Sequence, residues 1–142
     1  MVVQLNLANK LAVGHCNIQG GLTGLVKCLD IQNLISKEKL DILCLNETNL
    51  KSDIDTNSLA LPGNFTFLRK DRCNDKGRGG CGLLISNNVR FKSVHLDLLF
   101  PTETIEAIWI YLIDCNIYQF SFYIISMGHM DGYSKHRWEK IN

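Results

Sequence analysis

The chain has 142 residues, of which 46% are hydrophobic and 20% charged, and its formal net charge is +1. That length suits one domain with its own core, not two. The near-neutral charge excludes a globally basic nucleic-acid binder, so any polyanion must be held by a local group of residues. Residues 1–10 lack a basic region followed by a long apolar core, so they do not read as a secretory signal and are taken as an N-terminal extension. Leu11 to Ile18 are apolar enough for a strand buried on both faces, and Gly20-Gly21 break it. From Leu22 to Lys37, apolar residues recur at Leu25, Val26, Leu29, Leu34 and Ile35, with Lys27, Asp30 and Gln32 between them, which predicts a helix. Thr23 is its expected N-cap, and Lys37 and Lys39 suit the negative helix end. Asp41 opens a second strand, Ile42 to Leu45. The spacing predicts one βαβ unit with parallel strands. Asn17 and Glu47 then leave the sheet at one edge, beyond the strands' carboxyl ends, where open α/β sheets bind ligands.

Residues 48–63 are polar, end in Leu-Pro-Gly and read as a surface loop. Phe65 to Leu68 is a short strand. The segment Arg69 to Gly80 holds five basic residues and three glycines and is expected to be an exposed, mobile connection. Cys81 to Ser86 is strand, Asn87-Asn88 a turn, and Arg90 to Leu96 alternates weakly. Ile105 to Ile113 and Ile117 to Ile125 read as a hairpin turned at Asp114-Cys-Asn116. Residues 126–142 form a polar tail. The class is α/β with a mixed sheet and helices on one face. Nothing in this pattern covers the sheet's second face.

Six cysteines are present, none with CxxC spacing, and four lie inside apolar segments. Buried free thiols in a reducing compartment are the expectation, and a zinc site is not. No apolar run is long enough to span a membrane. The two sequons, at Asn46 and Asn64, are read as chance. Glu47 is a candidate magnesium ligand, because Mg²⁺ is commonly held by one or two carboxylates with phosphates and water. It could equally cap the loop that follows. Asn17 could donate to a phosphate oxygen or satisfy the turn at Gly20. Arg69, Arg72 and Arg78 could contact a phosphate backbone, which positions nucleic acid without reading it. The alternative is a solvated hairpin loop. Tyr123 closes an aromatic-rich strand and reads first as core. His15, His95, His129 and His136 form no ligand spacing.

The blocks Leu11-Ala-Val-Gly-His-Cys-Asn-Ile-Gln, Leu40-Asp-Ile-Leu-Cys-Leu-Asn-Glu-Thr-Asn-Leu, Arg69-Lys-Asp-Arg, Gly79-Gly-Cys-Gly-Leu-Leu-Ile and Ile105-Glu-Ala-Ile-Trp-Ile together resemble the endonuclease/exonuclease/phosphatase superfamily. The nearest branch by this resemblance is the AP-endonuclease-like nuclease domain of non-LTR retrotransposons. The resemblance implies a four-layer α/β sandwich with two sheets face to face under outer helices. It implies metal-dependent hydrolysis of phosphate esters and, in that branch, nicking of target DNA in the nucleus, with the cytoplasm as the alternative compartment. It matches Asn17 to an asparagine near the scissile phosphate, Glu47 to the glutamate that binds Mg²⁺ (Mn²⁺ as an alternative), and Tyr123 to a phosphate-contacting tyrosine.

The chain departs from the pattern after Tyr123, where Ile124-Ile-Ser-Met replaces the usual arginine and prolines. An Asp-x-Asn block and a C-terminal Ser-Asp-His block are not found, so the general-base histidine has no counterpart; His129 and His136 fall in the wrong part of the order. Residues 11–125 are therefore read as the N-terminal part of such a domain, with 126–142 a diverged tail. The expected function is part of a Mg²⁺-dependent DNA endonuclease, weak or inactive as this chain. One alternative is a non-catalytic remnant that binds nucleic acid or a protein. Another is a phosphomonoesterase of the same superfamily. DNA is the expected partner, a membrane is not, and a second chain on the bare sheet face is the further expectation.

Overall fold

The computed structural model describes residues 5–7, 11–72, 78–94, 105–113, 121–122 and 126–127. The fold is built around the βαβ unit. Strand β2 (Leu11–Asn17) runs into helix α1 (Leu25–Glu38), which returns to strand β3 (Ile42–Asn46). β2 and β3 pair in parallel, with Asn17 opposite Asn46. Residues 5–7, inside the stretch read as an extension, form strand β1 (Leu5–Leu7), antiparallel to β2. Strands β4 (Phe65–Lys70) and β5 (Cys81–Ser86) complete a five-stranded mixed sheet in the order β1-β2-β3-β5-β4. β5 lies between β3 and β4 because it is the apolar one: all six of its residues are buried, as are all five of β3. β4 takes the edge, where its charged end at Arg69 and Lys70 is tolerated.

Alternation then assigns two cores. Leu43, Leu45 and Leu84 face α1 and pack with Cys28, Ile31 and Ile35, which recur on one side of the helix. Each such aliphatic side chain contributes roughly 1.5–3 kcal/mol on burial. Ile42, Cys44, Cys81, Leu83 and Ile85 face the other way. There they meet Ile110 and Leu112 of strand β8 (Trp109–Leu112). β8 belongs to a second sheet, in the order β6-β8-β9, with β6 (Phe91–Val94) and β9 (Ser121–Phe122) on either side. A short pair, β7 (Ile105–Glu106) with β10 (Ser126–Met127), stands apart from it.

This corrects the expectation that nothing in the chain covers the sheet's second face. The strands after β5 do not extend the first sheet in a row. β6, β8 and β9 form a small second sheet whose apolar side, Ile110 and Leu112, closes over the first. The physical reason is that β3 and β5 are apolar on both sides, so neither face tolerates water. The predicted strand 105–113 is also interrupted, between Glu106 and Trp109. The expected N-cap, Thr23, is replaced by Gly24, which is extended at φ −85, ψ 133 and offers no side-chain bond. The helix ends at Lys39, left-handed at φ 51, with the Leu40 N–H donating to the Ile35 carbonyl at 3.0 Å. No helix among the described residues is long and apolar enough to cross a membrane.

Candidate active site

The antiparallel pairing of β5 with both β3 and β4 brings four chain ends to one edge of the large sheet. These are the ends of β2, β3 and β4 and the start of β5. Asn17 closes β2 and Glu47 follows β3. The Ile18 N–H donates to the Asn46 carbonyl at 2.8 Å, which keeps the two ends together past the last strand residues. Both side chains are exposed, and the Asn17 amide Nδ2 donates to Glu47 Oε1 at 3.2 Å. The sequence-predicted pair is thus brought together by one direct bond. It leaves the second carboxylate oxygen for a ligand. An all-oxygen donor on an exposed carboxylate fits a hard divalent cation that completes its shell with water and phosphate. Among the described residues there is no cluster of three or more metal-ligating side chains. Glu47 would therefore hold the ion as a single protein carboxylate.

The backbone that carries Glu47 is unusual. Glu47 and Asn49 are both left-handed, at φ 58 and φ 50. Between them Thr48 is fully buried. Backbone bonds fix this turn on two sides. The Thr48 carbonyl accepts from Leu22 N–H at 2.8 Å. On the other side, the Thr48 N–H donates to the Gly80 carbonyl at 3.3 Å and the Asn49 N–H to the Gly79 carbonyl at 2.8 Å. Asn49 Oδ1 in turn accepts the Gly79 N–H at 2.7 Å. Gly79 and Gly80 have φ of 109 and 80, and a Cβ on Gly80 would lie 2.8 Å from Thr48 Oγ1. Only glycine fits there.

The three arginines expected to meet phosphate are placed differently from one another. Arg78 is exposed. Arg69 is half-buried in β4, pairs with Asp71 at 3.1 Å and donates to the Lys51 carbonyl at 3.0 Å. Arg72 is ion-paired with Glu106. The described parts of the Arg69–Gly80 connection are thus largely packed, a correction to its expected exposure: each arginine that bends inward meets a carboxylate. Tyr123, His95, His129 and His136 lie outside the described residues. His15 is half-buried in β2.

Glu106 was not legible as a site residue. It is only 7% exposed, and its two oxygens engage Arg72 and the Gly80 N–H, the latter at 2.7 Å. The signal was a lone carboxylate in an apolar strand, which must have a partner if it is buried. Of the cysteines expected to be free thiols, Cys28, Cys44 and Cys81 are free and buried and Cys16 is free and half-buried, while Cys73 and Cys115 lie outside the described residues. Burial pushes Cys44 up to about 12. It does the same to Cys81, aided by the negative charge of Glu106 nearby.

The family model described as "Endonuclease/Exonuclease/phosphatase family" matches residues 14–117 of the chain. No curated protein matches it. Among solved structures, the AP endonuclease LMAP from Leishmania major superposes with a TM-score of 0.60 at 20% identity. The match covers 80% of this chain and 39% of that one, so the chain spans well under half the length of that relative. At this identity the likeness is one of fold.

Proposed function

Because the chain belongs to the endonuclease/exonuclease/phosphatase family, we propose that it carries the metal- and phosphate-positioning part of a Mg²⁺-dependent DNA endonuclease of the retrotransposon type. The Asn17–Glu47 hydrogen bond at the ligand edge of the sheet carries this reading. Glu47 holds the ion, and Asn17 orients that carboxylate while its other amide N–H remains for a phosphate oxygen. When bound there, Mg²⁺ supplies a Lewis acid for a phosphoryl oxygen, and Mn²⁺ can replace it. Arg78 lies exposed at the same edge and takes a backbone phosphate of DNA. Arg69 and Arg72 steady the loop through Asp71 and Glu106 and reach DNA only with their remaining N–H groups. Tyr123 is assigned a phosphate contact on family resemblance alone.

Proton transfer is the weak point. The described residues place no histidine at this edge as a general base. Loss of a general base costs about 10²- to 10⁴-fold. We therefore expect slow hydrolysis from this chain, and the same observation on the described residues favours a second reading, a non-catalytic binder of nucleic acid. The test uses supercoiled plasmid with Mg²⁺, comparing the chain with its Glu47→Ala variant at equal concentration, alongside Mn²⁺ binding followed by electron paramagnetic resonance. Expected are slow nicking that the variant loses, and Mn²⁺ affinity weakened about tenfold or more in the variant. Equal Mn²⁺ binding by both would overturn the proposal. Plasmid binding by both with nicking by neither would establish the second reading.

A further inference from the structure

The buried carboxylate of Glu106 lies on β7, outside the five-stranded sheet, and the chemistry described so far does not use it. Its two oxygens hold two things at once: the Arg72 guanidinium at the end of β4 and the Gly80 N–H just before β5. Gly80 and Gly79 are the residues whose carbonyls receive the Thr48 and Asn49 N–H groups. Thr48 and Asn49 follow Glu47 directly, and Glu47 itself is left-handed at φ 58. A continuous set of bonds therefore runs from Glu106 through Gly80 and Gly79 to the turn that presents Glu47. On that flank Asn49 adds a side-chain bond of its own, accepting the Gly79 N–H at the same strand entry.

We infer that Glu106 is a positioning residue: by clamping Arg72 and the Gly80 amide together, it fixes the 46–49 turn and so the direction of the Glu47 carboxylate. The inference rests on the reading of Glu47 as the metal-holding group, but its structural half is separable from it. Beyond the last ladder pair, Lys70 opposite Cys81, Glu106 bonds both strand ends at once: Arg72 just past β4 and Gly80 just before β5. One carboxylate with two acceptor oxygens suits that task. A buried acid paired with both a guanidinium and a backbone N–H is also fully satisfied, which its burial requires. The same clamp explains why a connection rich in arginine turns inward at Arg72.

The experiment is amide hydrogen exchange by NMR on the full chain and on Glu106→Ala and Glu106→Gln, with Mn²⁺ titrations of each. In Glu106→Ala, exchange at Thr48 and Asn49 should quicken about tenfold or more, while Cys44 and Leu45 in the middle of β3 stay within about twofold of the parent. Glu106→Gln keeps an acceptor for the Gly80 N–H and should restore protection of Thr48 and Asn49 to within about threefold. Mn²⁺ affinity should fall about tenfold in Glu106→Ala and recover in Glu106→Gln. If Glu106→Ala does not fold, Glu106→Asp, which keeps the charge but is too short to reach both partners, is read by the same criteria. Unchanged protection at Thr48 and Asn49, or equal loss at Cys44 and Leu45, overturns the inference. If the parent itself binds no Mn²⁺, the proposed function fails, and the exchange pattern alone still decides whether Glu106 sets the turn.

Discussion

Glu47 is held where a side chain is least comfortable, in the left-handed region at φ 58. For an L-residue that region costs roughly 1–2 kcal/mol, a cost glycine avoids in the folded state but partly returns through its freer unfolded chain. A comparison that isolates the backbone is Glu47→Gly against Glu47→Ala, since both lose the carboxylate. Glu47→Gly should be the more stable by about 1 kcal/mol in urea denaturation, and both should lose metal binding. Equal stability would mean that the turn stores no strain. With the expected gap, Glu47 is a stability cost accepted at the candidate site, as strained functional positions commonly are. The core thiols give a second residue-scale result. Cys44 sits near 12 in the fold against an ordinary 9.0, because burial disfavours its thiolate. Between those two values the unfolded chain has lost the proton and the folded chain keeps it. Stability therefore falls as pH rises from about 9 towards 12, by up to about 1.4 kcal/mol per pH unit for this group. In Cys44→Ala that contribution is gone. The stability gap between parent and variant in urea should accordingly narrow between pH 8.5 and about 11. A gap that stays constant over that range would show that Cys44 is not the group responsible.

At the level of elements, the βαβ unit was the legible part. An apolar run ended by Gly20-Gly21, a helical spacing and a second apolar run put β2, α1 and β3 within a few residues of their observed bounds. The parallel pairing also follows from the crossover, as does the shared edge for Asn17 and Glu47. Sheet membership was not legible. β3 and β4 are neighbours in sequence, yet β5 separates them, since a strand apolar on both faces gains most from the centre and a strand ending in Arg-Lys gains most from an edge. Pairing of this kind is decided by burial across the whole sheet, which a local window does not contain. The helix start was misplaced for a smaller reason. Thr23 is a better capping residue than Gly24 by type, but the backbone turns into the helix one residue later, and the Cys28 N–H finds the Gly24 carbonyl at 3.2 Å. Glu106 shows how a site residue escapes a sequence reading. Alternation assigned it to a strand, whereas its partners, Arg72 and Gly80, are set by tertiary contacts more than twenty residues away.

At the scale of the molecule, the question is whether the two sheets form one cooperative body. Among the described residues, the face of the large sheet away from α1 is closed chiefly by Ile110 and Leu112 of β8, with Phe91 and Ile108 beside them, against Ile42, Cys44, Leu83 and Ile85. Ile110 is fully buried, as is Leu43 on the helix side of β3. If the second sheet is integral, truncating Ile110 leaves a cavity between layers that packing cannot refill, because strands on both sides are held by their ladders. Ile110→Ala should then cost about 2–5 kcal/mol, the same range as Leu43→Ala, and both variants should unfold in a single urea transition. If the second sheet is only loosely docked, Ile110→Ala costs less than about 0.5 kcal/mol, or a separate early transition appears. The first outcome carries a consequence for the ligand edge. Glu106 is joined to Trp109 by two residues only, so a β8 fixed against the large sheet also limits where Glu106 can reach for Arg72 and Gly80. Packing on the far face of the sheet and the direction of Glu47 at its edge are then two ends of one rigid arrangement.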